Sequence, residues 1–183
     1  MAFAKQASGD RKLLNMVLIH SPGGSVLGSM RLGSVFRSLG TTVVVARVQT
    51  GGGGGGFFSA PRQTTDSRTG QVIPEGSLTN ASCNSACVYA VMGGKKRIVP
   101  EQSRMGIHRM QAEQNFGFDP VQGRSVTAIS KGSTEQVAAL KRYARTMGID
   151  QKLIDIAESI PHEEIKILSP AEVRSFKLGS QKL

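Results

Sequence analysis

The hydrophobic pattern along the chain changes period several times, and each change marks an element. Met16-Val17-Leu18-Ile19 is an unbroken apolar run that ends at Ser21-Pro22-Gly23-Gly24. A short apolar run closed by a turn predicts a buried strand. Beyond the turn, Val26, Met30, Gly33, Phe36 and Leu39 recur at helical spacing, and Gly40 supplies the stop. Residues 41–48, "TTVVVARV", are β-branched and apolar and predict a second buried strand. Strand, helix and strand within about 30 residues form a βαβ unit, which implies a parallel sheet with a right-handed crossover.

Residues 49–80 interrupt this rhythm. Positions 51–56 are six consecutive glycines, followed by polar sequence with Pro61 and Pro74. A glycine run loses too much backbone freedom on ordering to hold regular structure. The segment therefore reads as a flexible surface insertion, and a phosphate-binding loop is disfavoured because no helix start or lysine adjoins it. Residues 85–92 predict a short apolar helix stopped by Gly93-Gly94. "KRIV" and "RMGIHRM" predict two short strands, and 111–132, with Pro120 and three glycines, reads as loop. "STEQVAALKRYARTMG" opens with a capping box, Ser133 and Gln136, and carries Val137, Leu140, Ala144 and Met147 on one helical face. Residues 150–160 predict a second helix, and 169–179 a third, opened by Ser-Pro and closed by Gly. The order is α/β, with helices gathered toward the end.

Length and composition narrow the classes. The 183 residues suffice for a single domain, 1–183, and a hydrophobic fraction of 39% supports a packed core. Lys and Arg outnumber Asp and Glu by 23 to 13, a formal net charge of +10 that attracts polyanions. The basic residues are dispersed, however, and only Lys95-Lys96-Arg97 makes a run of three. With no Trp and two Tyr, stacking platforms for single strands are scarce, and neither zinc-finger spacing nor a Walker-type loop occurs. A basic nucleic-acid-binding protein is thus an alternative that the sequence disfavours. No apolar stretch approaches the ~18 residues of a membrane span. The N-terminal sequence lacks the apolar core of a secretory signal, so the expected compartment is cytoplasmic as the sequence stands, or periplasmic if a leader has been removed. Cys83 and Cys87 stand four apart, ~6 Å on a helix face. That is a poor frame for a disulfide, and the expectation is two small semi-buried thiols.

Three features carry candidate chemistry. Gly23 and Gly24 follow a parallel strand and open a helix, so their N–H groups can face a cavity and form an oxyanion hole; the plainer reading is a tight turn. Ser85 stands among small residues at a helix start, open to attack on a carbonyl, although a capping serine is the commoner occurrence there. Cys83 and Cys87 compete with it as nucleophiles. His108 ends an apolar strand as a structural residue or a base. His20 precedes the glycine turn, and His162 reads as a loop residue.

Order and spacing join these features. "HSPGGSVLGSM", "NSACVYAVMGG", "MGIHRM" and "ILSPAEVRSFKLG" together resemble the Clp protease proteolytic subunit and its crotonase-fold relatives over about 15–108 and 160–180. The C-x-S-A-C form with "GGKKRIV" resembles more closely the periplasmic ClpP-like proteins of bacteria. The resemblance implies a ClpP/crotonase-like parallel sheet built of βαβ units with flanking helices. It also implies a serine peptidase without metal or organic cofactor, acting on a peptide or protein substrate and assembling into a homo-oligomer. Carried over by position, the nucleophile falls on Ser85, the general base on His108, and the oxyanion donors on the N–H groups of Gly24 and Ala86. The cysteines become flanking packing residues. For the third member, an ungapped match falls on Ile165; Glu163 matches best against the periplasmic relatives, with Glu164 and Asp155 behind it. The chain departs from the family in its 49–80 insertion, in a short N-terminal part before S-P-G-G, and in the segment after His108. A catalytically inactive binding or assembly module of the same fold is the first alternative. A Ser–Lys hydrolase using Lys95 or Lys96 is another.

Overall fold

A computed structural model describes residues 16–49, 63–65, 72–74, 77–119 and 124–181. Strand β1 (Met16–Ile19) pairs parallel with β2 (Thr42–Gln49), Met16 opposite Thr42 and Ile19 opposite Val45. Helix α1 (Val26–Ser38) crosses between them, completing the expected βαβ unit. Ser25 caps its first turn by accepting from the Gly28 N–H. Gly40, at φ +66°, ends it: the Gly40 N–H donates to Arg37 O and the Thr41 N–H to Phe36 O. β1 is less buried than its apolar run suggests, with Met16 51% exposed, because among the described residues its ladder has β2 alone as neighbour.

β2 is the centre of this sheet. Its first half pairs parallel with β7 (Lys96–Ile98) and its second half antiparallel with β5 (Ser77–Asn80). Two three-residue strands, β3 (Gln63–Thr65) and β4 (Val72–Pro74), form a small antiparallel pair. The 49–80 segment, expected to lack regular structure, thus contributes a strand to the main sheet. The glycine run at 51–56 lies outside the described residues.

The chain continues from β5 into β6 (Ser82–Asn84), which pairs parallel with β8 (Arg104–Ile107); β11 (Lys166–Ile167) adds antiparallel on the far side of β8. A bridge from Ser21 to Cys83 ties the end of β1 to this second sheet. Residues 111–132, read as loop, instead form an antiparallel ribbon, β9 (Gln111–Asp119) with β10 (Arg124–Lys131). Its sequence has no alternate set of positions that is consistently apolar, so periodicity carries no strand signal there. The ribbon is defined by its backbone pairing, from Arg124 opposite Asp119 to Lys131 opposite Gln111.

Helix α2 (Cys87–Met92) is buried along its whole length and forms the centre of the core with Val43, Val45, Met105 and Leu140. α1 crosses it at bare backbone: a Cβ on Gly93 would lie 1.9 Å from Gly33 O, and one on Gly33 would lie 2.0 Å from Tyr143 Oη. α3 (Thr134–Thr146) carries the expected Ser133/Gln136 capping box. α4 (Lys152–Ser159) and α5 (Pro170–Ser175) follow, the last with proline in its first turn and its own capping box. Arg37 donates to the carbonyls of Met92 and Met147, and Arg97 to those of Met92, Gly94 and Lys177. These guanidiniums satisfy helix-end carbonyls that would otherwise be orphaned. Arg97 is therefore a structural residue, and the one run of three basic residues is not a free cationic patch.

Candidate active site

The site is built where the two sheets meet. β6 runs beside β8 as far as Asn84 opposite Gly106, and the chain then turns sharply. Ser85 adopts φ 55°, one of two non-glycine residues at positive φ among those described, and its N–H donates to Gly106 O at 2.8 Å. A left-handed residue between a strand and a helix lifts its side chain out of the turn, the elbow geometry that exposes a nucleophilic Oγ. Ser85 is partly exposed, whereas Ala86 and all of α2 behind it are buried.

Cys83 and Cys87 bracket this elbow as a disulfide with Cα atoms 5.3 Å apart. The expectation of two thiols assumed that both lie on one helix. Cys83 is instead the middle residue of β6, and the turn at Ser85 brings the helix start back toward it. Both cysteines are buried, so the bond closes the base of the turn and removes them as competing nucleophiles.

The glycine turn lies against the serine. The Ser21 N–H donates to Ser82 O and the Asn84 N–H to Ser21 O, which fixes the end of β1 beside β6. Gly23 and Gly24 have φ +133° and +138°. A Cβ on Gly23 would stand 2.9 Å from Ser85 Cβ and 3.4 Å from its Oγ, so only glycine allows this approach. Among the described residues, no acceptor is bonded to the N–H of Gly24 or of Ala86. Two backbone donors are thus left available on either side of the serine.

His108 follows β8 directly, two residues beyond Gly106 and so beside the level of Ser85. Among the described residues no hydrogen bond joins its ring to Ser85. Its Nδ1 lies 3.0 Å from Arg109 O; a carbonyl only accepts, so Nδ1 carries the proton and Nε2 is the free base. Burial, and then the neighbouring His162, hold the His108 pKa below the ordinary imidazole value, while the Arg109 carbonyl and Glu163 act the other way. The ring is therefore neutral at pH 7 and able to take a proton.

Glu163 is near enough to act on the charge of His108, but it is 72% exposed and pairs with Arg109 at 3.8 Å, and among the described residues it makes no hydrogen bond to the His108 ring. Asp155 pairs with Lys141, and Glu164 is exposed. Beside His108 stands His162, its ring centroid 4.4 Å away and edge-on. A sequence reading that assigned His162 to a loop had no signal for this, because the contact depends on the turn after α4. Glu158 was also missed; it accepts from the Met110 N–H and anchors the segment after His108. Lys95 and Lys96 stand at the opposite end of the sheet. Lys96 pairs at the level of Thr42, hence of Met16, five residues before Ser21, roughly 16 Å along the strands.

A cleft of 670 Å³ opens over the elbow. Gly24, Ser85, Arg109 and His162 line it together with an apolar wall that includes Met30 and Leu140. Its dimensions suit a peptide-sized ligand.

By sequence, no protein-family model and no curated protein matches the chain. By structure it is similar to a serine-to-alanine mutant of the 1510-N membrane-bound stomatin-specific protease. That match has a TM-score of 0.52 at 12% identity and covers 100% of this chain and 71% of the other. It is similar also to a lysine-to-alanine mutant of the same protease in complex with a substrate peptide (TM-score 0.52, 13% identity, 100% and 67% covered). These likenesses, with the parallel βαβ sheet and its flanking helices, show that the chain has a ClpP-like α/β fold.

Proposed function

We propose that the protein is a serine hydrolase, a peptidase in the first instance, with Ser85 as nucleophile and His108 as base. The observation that carries this reading is the elbow itself. A serine held at positive φ has Gly23 packed against it and, beside it, the N–H groups of Gly24 and Ala86, which have no acceptor among the described residues. Ser85 Oγ attacks the acyl carbon while its proton passes to Nε2 of His108; the carbonyl oxygen, becoming negative, is received by the two N–H groups. The proton then goes to the leaving amine, and water repeats the sequence to free the acyl group. The peptidase names of the structural neighbours support this class of substrate, and the lining of the cleft suits it. A buried disulfide at the elbow fits an oxidising compartment, in keeping with the periplasmic ClpP-like resemblance. Leu27, Leu32 and Val35, each more than 40% exposed on α1, are a face that a second copy would cover in a homo-oligomer.

The test is active-site labelling. A fluorophosphonate probe is expected to label the wild type covalently on Ser85, and Ser85→Ala is expected to lose all labelling with its fold intact. Labelling that persists in the alanine variant removes Ser85 as nucleophile. A wild type that never labels favours the inactive binding module.

A second reading replaces His108 by a lysine. Lys131 pairs across the ribbon with Gln111, which itself lines the cleft, and a lysine is the mutated residue in one structural neighbour. Full labelling of His108→Ala together with none in Lys131→Ala would select the Ser–Lys mechanism.

A further inference from the structure

The imidazoles of His108 and His162, the second of which lines the cleft, converge on one atom. His108 Nδ1 lies 3.0 Å and His162 Nδ1 3.3 Å from the same Arg109 carbonyl oxygen, with the rings edge to face at 4.4 Å between centroids. A carbonyl oxygen has two lone pairs and no proton, so each ring donates to it through Nδ1, and in the neutral ring of His108 this leaves Nε2 as the free base. His162, with Ser85, lines the cleft, whereas the carboxylate expected beside the base is exposed and engaged with Arg109. The carbonyl is itself held from two sides. The Arg109 N–H donates to Ile160 O and the Met110 N–H to Glu158, which ties the strand end to the turn that carries His162.

We propose that His162 is the positioning residue of this site, standing where a serine hydrolase ordinarily keeps a carboxylate. It packs against the edge of His108, shares its acceptor, and so holds that ring as the Nδ1–H tautomer with Nε2 turned to the proton of Ser85. The inference rests on the serine-hydrolase reading above. The arrangement differs in kind from a carboxylate. A neutral carbonyl and a second imidazole orient the base but add no negative charge to stabilise its protonated form. Two adjacent imidazoles also resist holding two protons at once. The charged groups around the pair are Arg109, Glu158 and Glu163; Glu163, ion-paired with Arg109, favours the charged form of His108 and so opposes the effect of His162. Removal of His162 therefore frees His108 to rotate and eases its protonation.

The experiment compares full-length wild type, His162→Ala and His162→Gln by two readouts. Long-range proton–nitrogen correlation spectra give the tautomer and titration of His108. The rate of Ser85 phosphonylation by a fluorophosphonate, in which the Oγ–P bond forms, fluoride leaves and the proton passes to His108, gives the reactivity across pH. In the wild type, both rings are expected as Nδ1–H tautomers. In His162→Ala the limiting rate is expected to fall about 10- to 100-fold, less than the roughly 10²- to 10⁴-fold that a general base contributes, because the base is misplaced rather than removed. The inflection should rise toward the ordinary imidazole value of about 6.5. Gln at 162, whose amide can still donate to the Arg109 carbonyl, should recover most of the rate but not the low inflection. A His162→Ala variant with wild-type rate and unchanged inflection overturns the proposal, as does a wild-type His108 protonated on Nε2. If wild-type Ser85 does not react at all, the hydrolase reading falls and takes the catalytic role with it. The spectra then still establish whether the two imidazoles are coupled, so the two failures are told apart.

Discussion

Replacing Ser85 by glycine and by alanine separates the geometry of the elbow from its chemistry. Both variants lack Oγ, which has no hydrogen-bond partner among the described residues, so both lose the nucleophile and little else. They differ in what φ 55° demands. A left-handed backbone costs an L-residue about 1–2 kcal/mol relative to glycine. Glycine gives back about 0.4–1 kcal/mol through the greater freedom of its unfolded chain. The difference leaves Ser85→Gly more stable than Ser85→Ala by about 0.5–1 kcal/mol. For a domain of this size that is ~1–4 °C in melting temperature. Differential scanning calorimetry on the two purified variants, with the disulfide intact in both, reads the difference directly. Alanine melting at or above glycine would mean that residue 85 is not held in the left-handed region. The elbow, and with it the exposed nucleophile, would then be refuted without any activity assay.

Two further outcomes follow from the packing. Cys83→Ala with Cys87→Ala opens a loop of four-residue separation, whose closure accounts for about 2 kcal/mol of chain entropy. The double variant should melt ~4–8 °C lower, while dithiothreitol alone should leave the folded wild type oxidised because both sulfurs are buried; an unchanged melting temperature would contradict the disulfide. Gly33→Ala places a methyl group 2.0 Å from Tyr143 Oη and 2.9 Å from Tyr89 O, breaking the Tyr143–Tyr89 hydrogen bond or parting α1 from α2. A loss of about 2–4 kcal/mol in urea unfolding is expected, and a loss under 0.5 kcal/mol would show that the helices do not cross there.

Burial shifts several groups without giving them chemistry. Tyr143 is pushed up to about 12 and Tyr89 higher still, so both stay neutral and serve as hydrogen-bond and packing residues. His108 is shifted down and lies beside a cleft, the combination that separates a candidate base from a merely buried group. The sign follows from its role: a neutral imidazole is the active form, so labelling should rise with pH through an inflection below the ordinary value and then stay level.

What the chain determined by itself is the part written in local pattern. The βαβ unit, the capping box at Ser133, the Ser-Pro start at 169, the stop at Gly40 and the helices from 134 onward are legible because each depends on residues within a turn or two of one another. The pairing of S-P-G-G with the serine elbow was legible only through the resemblance of both motifs to the ClpP-like family, since the two lie about 60 residues apart and no local pattern joins them. Tertiary structure alone decided the rest. The ribbon over 111–131 has no regular apolar alternation in its sequence, and only the pairing of its two strands reveals it. The Cys83–Cys87 bond depended on a strand-to-helix turn that helical spacing concealed. The partner of His108 is His162 because the turn after α4 returns to the end of β8, a contact between residues 54 apart in sequence. Sequence spacing can nominate groups for a site, but distances between side chains on different elements are set only when the sheet and its crossings close.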